Sequence, residues 1–369
     1  MKLSFLSENI QKKLSFVSHA ISPRSQLSIL QNFLIEAKAG ELKISATDLE
    51  IGIQITIPAK VENEGVVTIP AKIFADLINS LPSEKISLEL KENTLEVKSG
   101  KTKSLFQTSP ANDFPKLYET KGEKTAVFKS GLIKENFPSV IFSASSDLGR
   151  PALSGVLIKQ EKEDFVLVAT DGFRLSLRKH KNTEKSLKKE KPILIPSRLL
   201  RELVAMAGDD EEIEFCISEE SNQVLFSKEG VVLIGRLIDA EFPNYQKIIP
   251  TEVNTTAVFD KEEMQKAIKI CSIFARETAN IIKISLKKEK IIISANTPSI
   301  GQNNVEIEVK LTGEENEIAF NSQFLLDLFA NINVESMVFE MTGPLNPGVF
   351  KISGDDSFLH LIMPIRVQR

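Results

Sequence analysis

Ala169-Thr170-Asp171-Gly172-Phe173-Arg174-Leu175 is one of three related stretches in this 369-residue chain. Weaker copies read Ile44-Ser45-Ala46-Thr47-Asp48-Leu49-Glu50 upstream and Ile293-Ser294-Ala295-Asn296-Thr297-Pro298-Ser299 downstream. Each closes an apolar run of β type, turns at small polar residues and re-enters a second run. Asp171-Gly172 suits a hairpin turn, because glycine accepts positive φ and aspartate hydrogen-bonds to nearby backbone. Thr47, Thr170 and Asn296 stand 123 and 126 residues apart, the spacing of whole domains rather than of solenoid units.

Two further landmarks recur in the same order. A short strand runs into a helix at Val67-Thr68-Ile69-Pro70-Ala71-Lys72, Leu194-Ile195-Pro196-Ser197-Arg198 and Ala319-Phe320-Asn321-Ser322-Gln323, where Pro and Asn suit a first turn or cap. Proline-bearing exits follow at Phe114-Pro115, Phe242-Pro243 and Met363-Pro364. The chain therefore reads as an α+β protein of three repeated domains, 1–122, 123–250 and 251–369, each with two helices backed by antiparallel strands.

An apolar fraction of 42% and a charged fraction of 26% are those of a soluble globular protein, and no run of about 18 apolar residues is present to span a membrane. Met1-Lys2-Leu3-Ser4-Phe5 leads directly into a patterned helix rather than a signal peptide, so a cytoplasmic location is expected. Cys216 and Cys271 lie in apolar runs of different repeats, which predicts buried thiols in a reducing compartment. His19, His180 and His360 have no metal-ligand spacing, and Asp209-Asp210-Glu211-Glu212 reads as a solvated turn, so neither metal nor cofactor is expected. Lys179 to Lys191 reads as a solvated, lysine-rich loop. The net charge of −4 means that any nucleic-acid function requires basic residues segregated onto one surface.

Helical periodicity supplies such a surface. The first helix, capped by Ser7, places Ile10, Leu14, Val17 and Ile21 on one stripe and Lys12 opposite. A helix from Pro70 buries Ile73, Phe74, Leu77 and Ile78 and leaves Lys72 outside. A helix from Ser130 buries Leu132, Ile133, Phe137 and Ile141, with Pro138 kinking or shortening it. The next buries Leu199, Leu200, Leu203 and Val204 and turns Arg198 and Arg201 outward. Asp260 and Glu263 form a capping-box-like pair before a stripe of Met264, Ile268 and Cys271, with Lys266 and Lys269 facing away. The sixth helix, with Phe324, Leu325, Leu328 and Phe329 on its apolar face, carries no basic residue. Domains of this length have a diameter of roughly 35 Å. Three in a closed triangle leave a hole of about 5 Å, and six leave one of roughly 35 Å, enough for a DNA duplex. A three-domain arc with complementary ends closes head to tail with a second copy.

Ala169 to Leu175, Glu241-Phe242-Pro243-Asn244-Tyr245 and Met363-Pro364-Ile365-Arg366 together resemble the bacterial replicative sliding clamps, the beta subunits of DNA polymerase III, over the whole chain. His or Tyr commonly stands in that family where this chain has Phe173. The resemblance implies a homodimeric six-domain ring, loaded by an ATP-driven clamp loader, that encircles double-stranded DNA without reading sequence and tethers the polymerase. DNA-binding candidates are Lys12, Arg24, Lys72, Arg150, Arg198, Arg201, Lys266 and Lys269; Pro151-Ala152 replaces the aromatic pair that touches DNA in some members. Carried over by position, a groove for short peptide motifs of polymerase, clamp loader and other partners comprises Leu153, Thr170, Gly172, Phe173, Arg174, Leu175, Pro243, Lys247, Ile248, Met363, Pro364, Ile365 and Arg366. The ring interface is expected to pair the edge strand near Phe106 with Ile273-Phe274. Two other readings compete: an enzyme using Asp48 and Asp171, which lacks a third acid, a histidine and a phosphate loop, and an interaction scaffold without DNA in its hole.

Overall fold

The computed structural model describes residues 1–22, 25–118, 122–147, 149–161, 164–181, 191–299 and 301–366. Eight helices lie among them: α1 Gln11–Val17, α2 Ala71–Ser80, α3 Ser130–Asn136, α4 Pro138–Ile141, α5 Pro151–Ser154, α6 Ser197–Met206, α7 Lys261–Ala275 and α8 Ser322–Asn331. Contacts divide the chain into two compact units, Met1–Gly131 with Glu202–Leu237, and Leu132–Arg201 with Ile238–Arg369.

In the first unit an eight-stranded sheet joins two repeats. Ile51–Pro58 of the first repeat pairs antiparallel with Val231–Arg236 of the second, with Ile53 opposite Leu233. A five-stranded sheet completes the unit and ends on the edge strand Thr102–Gln107. The second unit makes the same joint again. Arg174–Lys181 pairs antiparallel with Asp355–Ile362, setting Leu175 opposite Leu361 and Ser176 opposite His360 within a nine-stranded sheet. Its four-stranded sheet ends on the edge strand Gly301–Glu308.

The first two copies of the landmark fold into one turn. Each threonine hydroxyl donates to the carbonyl four residues on, Thr47 to Ile51 at 2.8 Å and Thr170 to Arg174 at 2.6 Å. It also accepts the amide two residues on, from Leu49 at 3.0 Å and Gly172 at 3.1 Å. Asp48 Oδ1 accepts the Glu50 and Ile51 amides, and Asp171 Oδ1 accepts those of Phe173 and Arg174. The residue after each aspartate has positive φ, 79° at Leu49 and 93° at Gly172. The third copy departs: the Thr297 hydroxyl donates instead to the Phe274 carbonyl, and positive φ moves to Gly301.

Several local expectations are corrected. Lys2–Leu6, which does run directly into the first helical segment, is itself a strand between Lys60–Asn63 and Lys85–Lys91. Ser7 is buried and does not cap α1, because its hydroxyl donates to Pro82 O and accepts from Glu84 N. α2 buries Ala71, Phe74, Ala75 and Ile78, the i, i+3, i+4, i+7 set, which leaves Ile73 63% exposed and Leu77 half-buried. Leu132, Val204 and Phe324 are also only half-buried. Pro138 does break the second repeat's first helix, into α3 and α4. Asp260 caps α7 as expected, accepting the Glu263 amide at 2.8 Å. Cys216 and Cys271 are buried, and desolvation raises the Cys271 thiol to about 11. Of the lysine-rich run Lys179 to Lys191, residues 182–190 lie outside the described residues.

Candidate functional site: an apolar groove and basic helix faces

The second unit's strand joint brings three distant parts of the chain together. The turn at Thr170–Arg174 opens one strand, the exit at Met363 follows the end of its neighbour, and the one-turn segment Tyr245–Ile248 packs beside both. Met363 N donates to Phe173 O at 2.8 Å and locks exit to turn. Between them lies a cleft of about 260 Å³. Nine of the thirteen expected groove residues line it: Leu153, Thr170, Gly172, Phe173, Arg174, Leu175, Pro243, Ile248 and Met363. Asn244, Tyr245 and Leu361 line it as well. The Glu241 to Tyr245 motif contained two of these three, but the strand register alone delivers Leu361, opposite Leu175.

Lys247, Pro364, Ile365 and Arg366 are not among the lining residues. Lys247 is exposed to solvent, and Ile365 N donates to Ala319 O at 2.8 Å, which ties the tail to a neighbouring strand instead. Phe173 is 58% exposed, as a wall residue should be. Tyr245 is buried, with the Lys159 ammonium 5.0 Å from its ring centroid. Burial pulls the Lys159 pKa down, but hydrogen bonds to Glu161 and Tyr245 hold it above the ordinary lysine value.

Arg174 lines the cleft and is also anchored behind it. Its Nε donates to Asp171 Oδ2 at 3.0 Å, Nη1 to Asp327 Oδ2 at 2.7 Å and Nη2 to Phe142 O at 3.1 Å. The guanidinium sits between the rings of Phe142 and Phe324, 5.5 and 4.8 Å from their centroids. Each of its three nitrogens has a partner within the protein, so it is part of the groove's frame. Nearby, Ser143 Oγ, Ser176 Oγ and His360 Nδ1 form a buried chain at 2.8 and 2.7 Å. Complete burial, with the Arg174 charge, pulls the His360 pKa down to about 3.

Asp48 and Asp171, the acids of the enzyme reading, spend their carboxylates on the turns described above. Among the described residues no group of three His, Cys, Asp or Glu side chains is placed to hold a metal. Glu211, within the acidic cluster, instead accepts from Gly208 N at 3.0 Å and Lys228 Nζ at 2.6 Å.

Lys12 on α1, Lys72 on α2, Arg201 on α6, and Lys266 and Lys269 on α7 are exposed. Lys266 pairs with Glu262 one turn away at 2.7 Å, and that hydrogen bond raises its pKa. An exposed pair of this kind is weak because water screens it. Arg198 is half-buried. Arg150 is not on a helix face: it pairs with Asp147 at 2.9 Å and reaches the Asp171 carbonyl at 3.3 Å, beside the groove. The Gly149 amide and Arg150 hold Asp147 below the usual carboxylate range. Arg24 lies outside the described residues.

The expected interface residues are rearranged. Thr102–Gln107 is an edge strand, but Phe106 points into its own core, 7% exposed and 5.8 Å from Phe74, while Leu105 is 62% exposed. Ile273 and Phe274 lie in helix α7, not on a strand, with Ile273 55% exposed and Phe274 half-buried.

Comparison with known proteins shows where the three repeats belong. Family models for the N-terminal, central and C-terminal domains of the DNA polymerase III beta subunit match residues 1–118, 127–244 and 246–366. The chain is 32% identical over 359 residues to the beta sliding clamp of Staphylococcus aureus, covering 94% of each. It superposes on the DNA polymerase sliding clamp of Bacillus subtilis with a TM-score of 0.94 at 27% identity, covering all of both chains. The sliding clamp of Bartonella birtlesii, solved bound to griselimycin, also matches with a TM-score of 0.94, at 25% identity over the full length of both. Three repeated α+β domains joined sheet to sheet, matched from end to end, show that the chain belongs to the DNA polymerase III beta subunit family, the bacterial sliding clamps.

Proposed function

We propose that two copies of this chain close into a ring around duplex DNA and, through the groove at Thr170–Arg174, tether a polymerase and other partners that carry short apolar peptide motifs. One observation carries the ring. The strand after the landmark turn is paired with the last strand of the following repeat twice, Ile51–Pro58 with Val231–Arg236 and Arg174–Lys181 with Asp355–Ile362. By the same rule Gly301–Glu308 needs the last strand of a first repeat, and Thr102–Gln107 is that strand. Both are sheet edges among the described residues. An open edge is a template for pairing, and two such joints between two copies use both of these edges in each copy. Leu105 on one side and Ile273 on the other supply apolar cover.

Exposed lysines and arginines on α1, α2, α6 and α7 then neutralise phosphates by counterion release, which is strong in sum and blind to sequence. Sliding follows from contacts that cost the same at every base pair, and retention from topology. The domain limits 1–122, 123–250 and 251–369 belong to this proposal; the first falls in the gap between the family matches at 118 and 127, and the second falls a few residues inside the C-terminal match, which begins at 246. The groove's apolar walls suit a leucine- or phenylalanine-bearing peptide. The test is topological. Protein assembled on a nicked circle by a clamp loader should survive a wash in high salt and be released when the circle is linearised; release at equal rates from circle and line overturns the ring.

A further inference from the structure

α8 is the one helix of the six expected from periodicity that presents no basic residue, and the structure shows what its polar face does instead. Asp327 takes Arg174 Nη1 at 2.7 Å and is itself steadied by Gln323 Nε2 at 2.9 Å. Phe324, one turn earlier, lies between two groove residues, 4.8 Å from the Arg174 guanidinium and 6.5 Å from the Phe173 ring, to which it is nearly parallel. The stack runs on through Arg174 and Phe142 to the buried His360, whose ring is 5.3 Å from Phe142. It crosses from the third repeat into the second and back. Neither Asp327 nor Phe324 lines the cleft.

We infer that Asp327 and Phe324 are positioning residues for the peptide groove: they hold Arg174, and with it the exposed Phe173 wall, in the orientation that keeps the cleft open. The inference rests on the groove being a peptide site. A guanidinium with three hydrogen-bonded partners and two aromatic faces is fixed in one rotamer, so the turn that carries Phe173 costs little further ordering when a peptide seats. Removing Asp327 leaves Nη1 without its acceptor and lets the Arg174 side chain swing toward the cleft.

The experiment measures binding of a fluorescein-labelled decapeptide with a single Leu-Phe pair to the full-length protein by anisotropy, alongside thermal melting. Asp327→Ala and Phe324→Ala are expected to weaken the peptide about fivefold to tenfold, and Asp327→Glu to recover it to within about twofold. Combining Asp327→Ala with Arg174→Ala should weaken it by less than the product of the single effects, since both cut one interaction. Asp327→Asn, nearly the same shape, substitutes if the alanine variant melts early. Unchanged affinity in the Asp327 variants, a loss that glutamate does not relieve, or full additivity with Arg174→Ala overturns the inference. Leu153→Asp, on the cleft wall, separates the two claims. If the peptide fails to bind the parent protein, or binds Leu153→Asp as well, the groove reading itself falls.

Discussion

Leu49 and Gly172 occupy the same place in the same hydrogen-bonded turn, one with a side chain and one without. A left-handed backbone costs a non-glycine residue about 1–2 kcal/mol, so the first repeat carries strain that the second avoids. Leu49→Asn should therefore raise stability by a few tenths to about 1 kcal/mol, read as a shift of the urea midpoint, because asparagine tolerates this conformation. Gly172→Leu should still fold, as Leu49 shows the turn admits it, but with a similar loss; an unfolded variant would mean that the two turns are not equivalent. His360 gives a pH signature. Its folded pKa is pulled to about 3 from the ordinary 6.5, so in that window the unfolded chain binds a proton that the folded protein refuses. The resulting stability is complete above 6.5 and declines as pH falls toward 3, by up to about 1.4 kcal/mol per pH unit. His360→Gln should flatten that part of the curve in denaturation series from pH 7 to 4, and parallel curves would remove His360 as the cause. The turn was legible in Thr-Asp-Gly; the histidine was not, since only the register that sets it opposite Ser176 buries it.

At the scale of elements, a strand has two faces and a sequence without its partners does not say which is inside. Phe106 and Leu105 are adjacent apolar residues on an edge strand, and the phenylalanine fills the core beneath α2 while the leucine looks out. Phe106→Asp should destabilise the first repeat by about 3–5 kcal/mol through cavity and buried charge. Leu105→Asp should leave the melting temperature nearly unchanged yet yield monomers by light scattering. A dimeric Leu105→Asp protein would move the ring joint elsewhere. The α7 cap is a simpler case: Asp260→Ala should cost about 1 kcal/mol, visible as earlier exchange of the α7 amides. Here the sequence sufficed, because Asp260 and Glu263 act within one turn. α2 misled by one residue in helical phase, since Ile73 and Leu77 compete on hydrophobicity with Ala71 and Ala75, and only the sheet under the helix chooses between them.

For the whole molecule, the proposed ring rests on the repetition of one joint, and its consequences are ionic as well as topological. Charge reversal at Lys12 and Lys72 should lower DNA affinity equally across sequences and reduce the salt slope by about one for each phosphate no longer neutralised. The dimer mass should stay unchanged, since neither residue is on an edge strand. Weaker binding to one DNA sequence only would contradict this prediction. Leu105→Asp combined with Ile273→Asp should abolish retention on circular DNA while leaving peptide affinity for the groove intact, because the groove is built within one unit from residues far from either edge strand in sequence.

Period, composition and local turn chemistry were enough to give three repeats, their class and the exposed basic residues on the helices, and the resemblance of three short motifs gave the family. These depend on residues near one another in the chain and on a pattern stated three times. Tertiary structure alone decided that Arg174 is held by Asp171, Asp327 and Phe142, that Leu361 completes the cleft, and that Leu105 rather than Phe106 faces outward. Each of those outcomes depends on which distant strand or helix lies alongside, and no local pattern encodes that register.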